Sequence, residues 1–184
     1  MSRPGDRKAY LKWGLVALIQ LGLVATPLAE RIRVHMTGEE VVLAMRPVDP
    51  RDLLRGDYVI VSLEIERVPA DLLVPGQELA RGDTVYVSLE RDGEGTARAV
   101  AISKERPQDD ALAIRGRVSA SPRGEEISIA YDLDAFYIQE GKGEILENTD
   151  REKMRLVVAL TEAGISAPLR ITLDGETIVK ESAF

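Results

Sequence analysis

Between Trp13 and Ala29 the chain reads WGLVALIQLGLVATPLA, an apolar run broken by Gln20, Thr26 and two glycines. Coiled as a helix, this run is about 25 Å long, near the lower limit for crossing a bilayer. Beyond it the periodicity changes from helical to alternating. Val41–Met45 reads as a strand rich in β-formers and ends before Pro47 and Pro50. Two segments, Arg55–Glu64 and Arg81–Glu90, then repeat one another at an offset of 26. Each begins Arg-Gly-Asp and continues with period-two alternation, Val59, Val61 and Leu63 in the first and Val85, Val87 and Leu89 in the second. That period predicts strands with one core face and one wetter face. The Gly-Asp pair predicts the turn into each strand, glycine supplying positive φ and the carboxylate accepting backbone N–H groups.

Short strands continue to the C-terminus. Ala97–Ser103, Leu112–Ala120, Glu126–Leu133, Phe136–Ile138, Met154–Thr161, Ala167–Leu173 and Glu176–Val179 are separated by Gly, Pro and Asp turns. Asp174-Gly175 predicts a tight hairpin between the last two. Glu144–Lys153, acidic at its start and basic at its end, predicts a short helix. The fold class expected is mostly β: an antiparallel sandwich or partly open barrel with one short helix, preceded by a single N-terminal transmembrane helix.

Charge divides the chain in the same place. Six of the 24 Lys and Arg residues but only two of the 31 acids lie in residues 1–35, leaving 18 basic against 29 acidic side chains, a balance of −11, for the remainder. A head this acidic is a poor partner for nucleic acid. The basic residues Arg3, Arg7, Lys8 and Lys12 upstream of the run predict a cytoplasmic N-terminus. Candidate signal-peptidase sites around Ala25–Ala29 are spoiled by Pro27, so the run is expected to stay as an uncleaved anchor in the bilayer. The organisation expected is therefore a cytoplasmic basic tail over residues 1–11, an anchor over 12–30 and an extracytoplasmic β-rich domain over 36–184.

Catalytic chemistry is hard to find. The chain has no Cys and a single His, His35, which excludes disulfides, thiolate metal sites and histidine cages. Ser103 and Lys104 are neighbours on one expected strand, with side chains on opposite faces, so they do not make a Ser/Lys dyad. Asp109-Asp110 and Asp132/Asp134 lack the spacing of a calcium loop and read as solvated acids. No metal and no cofactor is expected. Tyr58, Tyr137 and Glu140, two phenols and a carboxylate near turns, are candidates to line a groove.

Gly56-Asp57-Tyr58 followed by hydrophobic alternation resembles the GDYXXLXY family of bacterial membrane-anchored proteins. Pro50–Tyr58, Phe136–Gly143 and the N-terminal anchor carry the resemblance. Val61 stands at the motif's Leu position and Leu63 at its second Tyr, so no role for that Tyr transfers. The resemblance implies a polytopic membrane protein as partner, and directs attention to Gly56, Asp57, Tyr58, Phe136, Tyr137, Glu140 and Gly141. The expectation is a single-pass protein of the bacterial inner membrane whose outer domain is a non-enzymatic accessory module. The alternatives are a carboxylate-dependent envelope hydrolase using Asp57 and Glu140, and a ligand-sensing domain.

Overall fold

A computed structural model describes residues 4–46, 58–108, 111–120, 124–133, 135–137 and 153–180. One long helix, α1 (Pro4–Thr37), leads directly into β1 (Glu39–Ala44). The apolar run lies wholly inside α1. Ten further strands follow: β2 (Tyr58–Ile60), β3 (Arg67–Pro69), β4 (Thr84–Arg91), β5 (Thr96–Ser103), β6 (Ala113–Val118), β7 (Glu126–Ala130), β8 (Ala135–Tyr137), β9 (Met154–Leu160), β10 (Ser166–Leu173) and β11 (Glu176–Lys180). Two 3₁₀ turns, Glu64–Glu66 and Ala70–Leu72, flank β3. The helix expected at Glu144–Lys153 lies outside the described residues except for its last position.

Nine strands form one open sheet in the order β11-β10-β9-β1-β5-β4-β6-β7-β3, and β2 pairs with β8 in a separate two-stranded ribbon. The expectation of an antiparallel sandwich is corrected in two respects. The nine strands belong to one sheet, and β1 runs parallel to β5 through Val42–Thr96 and Leu43–Ala97. The cause is the long excursion between these strands, which returns β5 to β1 in the same direction. On its other side β1 pairs antiparallel with β9 along its whole length, Glu39 opposite Leu160 to Ala44 opposite Arg155.

The sheet curls back on itself. Met45, just past β1, bridges Leu63, and the Arg46 N–H donates to the Ser62 carbonyl at 2.7 Å. Leu63 leads through the first 3₁₀ turn into β3, the opposite edge of the sheet. At the far end, the Arg115 N–H of β6 donates to the Gly164 carbonyl at 2.8 Å, so the β9–β10 loop covers the part of β6 that β7 leaves unpaired. Curling lets side chains from both edges share one core, which runs from Val68 of β3 through Ile127, Ile114, Val85, Ile102, Leu43 and Leu156 to Val179 of β11.

Alternation is realised where the hydrophobic pattern placed it. Val85, Val87 and Leu89 of β4 are buried while Tyr86 and Ser88 are half-buried. Ile127, Ile129 and Tyr131 point inward, and the Asp174-Gly175 hairpin takes the expected left-handed conformation, with φ of 47° and 85°. The two repeat copies diverge in hydrogen bonding. The second is an eight-residue strand, whereas the first pairs with β8 only as far as Ile60, and its Ser62–Leu63 then pair with the end of β1. Val61 and Leu63 are nevertheless buried, like their counterparts Val87 and Leu89. A Ser62 Oγ–H donating to Glu66 Oε2 at 2.9 Å closes the 3₁₀ turn that bends the first copy away.

Tyr131 ties the curl together. Its ring packs over Gly116, and its O–H donates to the Ile65 carbonyl at 2.8 Å in the buried interior. Burial, with Glu66 adding to it, pushes this phenol well above its ordinary value. A β-carbon on Gly116 would lie 2.4 Å from Ile129 Cγ2 and 2.9 Å from the Tyr131 ring, so only glycine fits beneath it.

α1 touches the head through its last turns. Val34 is buried against Ala159 of β9 and Ala167 of β10, with Ile165 and Leu169 around it. Upstream, the described apolar side chains from Trp13 to Val24 are bare. Trp13, Leu15, Val16, Leu18, Ile19, Leu21, Leu23 and Val24 are all exposed, from 44% to 73%. At about 100° per residue these eight positions surround the helix axis rather than forming a stripe. Among the described residues, no helix is long and apolar enough over an 18-residue window to cross a membrane.

The Gly116–Tyr131 contact is open to test by stability measurements, with Gly93 as a control. Gly116→Ala lowers the free energy of unfolding by about 1–3 kcal/mol in urea titrations. Gly93→Ala, where a β-carbon meets nothing within 4 Å, changes it by less than about 0.5 kcal/mol. The raised Tyr131 phenol favours the folded state fully below the unfolded tyrosine value of about 10. That stabilisation is lost as pH rises above it, so the alkaline decline in stability is shallower by about one proton in Tyr131→Phe.

Candidate functional site

The residues singled out from the sequence fall into two groups. Gly56, Asp57, Glu140 and Gly141 lie outside the described residues. Tyr58, Phe136 and Tyr137 are brought together: β2 and β8 pair antiparallel with Tyr58 opposite Tyr137, Val59 opposite Phe136 and Ile60 opposite Ala135. Segments almost eighty residues apart in sequence thus form one ribbon. β-Branched and aromatic residues favour such cross-strand pairing. The motif strand and the aromatic strand are therefore a single structural unit.

The second copy of the repeat shows what the Arg-Gly-Asp joint does mechanically. Gly82 takes a φ of +94°, and its N–H donates to the Val118 carbonyl at 2.8 Å. Asp83 Oδ2 accepts the Ala80 N–H at 3.0 Å and meets Lys104 Nζ at 2.8 Å. The Lys104 ammonium first, and the Ala80 N–H second, hold the Asp83 carboxyl below its ordinary value. In the second copy this is the strand-entry turn anticipated from the sequence.

Ser103 and Lys104 have separate partners. Lys104, just past the end of β5, pairs with Asp83. Ser103 Oγ accepts from Gln77 Nε2 at 3.3 Å and from the Glu105 N–H at 3.1 Å. Asp109, Asp110 and Asp134 lie outside the described residues. Asp132 sits with a φ of 57° beside Thr84, Arg115 and Arg117 in an open cleft of about 230 Å³. Among the described residues no group of three or more His, Cys, Asp or Glu side chains is placed to hold a metal ion.

Sequence reasoning missed two other concave surfaces. One, of about 600 Å³, crosses the outer face of β5, β1, β9, β10 and β11, with Thr96 and Thr172 buried in its floor and Arg155 and Arg170 on its walls. Arg170 grips Glu40 in a bidentate pair, at 2.7 Å and 2.6 Å. That guanidinium holds the Glu40 carboxyl below its ordinary value. Arg91 pairs with Glu39 alongside. Because each of these arginines comes from a strand far from its carboxylate, period-two reading along one strand had no access to the pairs. The other surface, of about 790 Å³, opens between α1 and the β9–β10 loop, lined by Thr26, Arg33, Val34, Thr37, Glu162 and Ile165 among others. Thr26 and Thr37 spend their hydroxyls on α1 carbonyls, those of Gly22 and Arg33.

A curled, mostly β head carried on a long N-terminal helix, with the motif strand paired to an aromatic strand, defines the class of protein. Residues 20–180 match the family described as GDYXXLXY protein, and the chain belongs to that family. No curated protein and no solved structure matches it.

The register of the ribbon is open to test because the chain lacks cysteine. Directly opposed positions in an antiparallel pair bring their β-carbons within about 4.5–5.5 Å, close to disulfide range. Oxidation is expected to join Tyr58→Cys to Tyr137→Cys and to leave Tyr58→Cys with Ala135→Cys unjoined, as read by mobility on a non-reducing gel.

Proposed function

We propose that the chain is a membrane-tethered accessory module. In this reading α1 spans the bacterial inner membrane with its basic N-terminus in the cytoplasm. The acidic β head then lies on the extracytoplasmic side. There it serves an integral, polytopic membrane partner and carries out no reaction of its own. The surface that meets the partner is the β2–β8 ribbon at Tyr58, Phe136 and Tyr137, with the adjoining motif residues Gly56, Asp57, Glu140 and Gly141. We also read the curled sheet as the partly open barrel expected from the strand pattern.

The observation that carries the reading is the bare, all-round apolar surface of α1. Each Leu, Ile or Val left in water forgoes about 1.5–3 kcal/mol that burial would supply. A helix that is apolar on every side needs an apolar environment on every side, and one flanking protein surface cannot provide it. Hydrocarbon can. Seventeen residues at about 1.5 Å each fall just short of the thickness required, in keeping with the lack of an 18-residue apolar window among the described residues, and the ends make up the difference: Trp13 suits the interface and Lys12 extends its ammonium to the headgroups. The fixed junction at Val34 supports the same arrangement, because the head begins within two turns of the end of the run. The hydrolase alternative rests on Asp57 and Glu140, both of which lie outside the described residues.

The expected behaviour is specific. The full chain stays in the membrane pellet after a high-salt wash and an alkaline carbonate wash, and removal of residues 1–30 releases the head into the soluble fraction. A C-terminal reporter that works only outside the cytoplasm is active, and its cytosolic counterpart is silent. Recovery of the full chain in the salt-washed soluble extract, or a reporter active in the cytosol, overturns the proposal. Cross-linking in intact cells should join the ribbon to an integral membrane protein, and Tyr58→Ala should weaken that product several-fold.

A further inference from the structure

We propose that α1 pairs with the α1 of a second copy of this chain through the face centred on Gln20; this rests on the membrane reading of the helix. Gln20 lies one residue from the middle of the apolar run and is exposed. Among the described residues its amide makes no hydrogen bond. The neighbouring polar side chain, Thr26, is already satisfied by the Gly22 carbonyl at 2.7 Å. Measured along the helix, Gln20 is about 10 Å from Trp13 and about 13 Å from Ala29. Both distances exceed the reach of its side chain, so it cannot extend to the headgroups. A primary amide held in hydrocarbon without a partner is costly, and membrane helices relieve that cost by hydrogen bonding across a helix–helix interface.

A second copy answers this requirement directly. An amide carries both donors and an acceptor, so two glutamines facing each other across a two-fold axis satisfy one another. The positions one turn away on the same face are Val16 and Ala17 on one side and Leu23 and Val24 on the other, with Trp13 two turns back. Ala17, with its small side chain, lets the two backbones approach beside the amides, and the apolar neighbours fill the seam as knobs fill holes. Leu18, Gly22 and Ala25 lie on the opposite side of the helix and take no part.

Because the chain has no cysteine, single-cysteine variants of the full chain in phospholipid vesicles read the interface without background. Each variant is first floated with the vesicles. Oxidation is expected to give disulfide dimers at Ala17→Cys and Val24→Cys at least fivefold above those at Leu18→Cys and Gly22→Cys. In fluorescence-transfer measurements on cysteine-free chains labelled at the C-terminus, Gln20→Leu lowers the dimer constant about tenfold, whereas Gln20→Asn largely preserves it. Dimers strongest at Leu18 or Gly22, equal yields on all faces, or an unchanged dimer constant in Gln20→Leu overturn the pairing and leave the anchor intact. Failure of the unmodified chain to float overturns both.

Discussion

The position of β1 is the constraint on which the rest of the molecule depends. It follows α1 without a linker and lies inside the sheet, between β5 and β9. The meander β5-β4-β6-β7-β3 and the C-terminal strands β9-β10-β11 are joined in the hydrogen-bonded order only through it. Its inward side chains, Val41 and Leu43, are fully buried at the middle of the core. The parallel ladder to β5 is short, with two registered pairs, so the long antiparallel ladder to β9 fixes where the strand lies. The two returns, Leu63 to Met45 and Gly164 to Arg115, then bring both parts of the sheet around one interior.

Much of this was legible in the residues. Period-two alternation found the strands that have one face in the core and one toward water, with Val85, Val87 and Leu89 of β4 the clearest case, while β-formers bounded by turn residues marked others such as β9, which is buried along nearly its whole length. The Gly-Asp joint was readable because glycine at positive φ and a carboxylate beside free N–H groups are local requirements. β3 and its flanking 3₁₀ turns were not readable. Arg67-Val68-Pro69 is too short to establish a period, and only the tertiary demand for a strand next to β7 makes it one. The parallel pairing was equally hidden, since direction is decided by the path of the chain between β1 and β5 and leaves no mark on either strand.

The candidate site was legible in part. That Tyr58 and the Phe136–Tyr137 segment belong together came from a motif and an aromatic cluster, and their pairing in one ribbon gives the association a physical basis. The arginine–carboxylate pairs on the outer face, Arg170 with Glu40 and Arg91 with Glu39, had no local signature. Their partners meet through strand order alone, and solvent exposure on both sides keeps such pairs modest contributors to stability. They serve better as markers of how β1 is flanked than as chemistry.

Because α1 enters at an interior strand, a pull on the helix is not delivered to an edge. It acts along β1, whose ladder to β9 must slide as a whole before any single bond can part. Edge attachment would let the same load peel strands away one bond at a time. A head mounted in this way resists tension in shear.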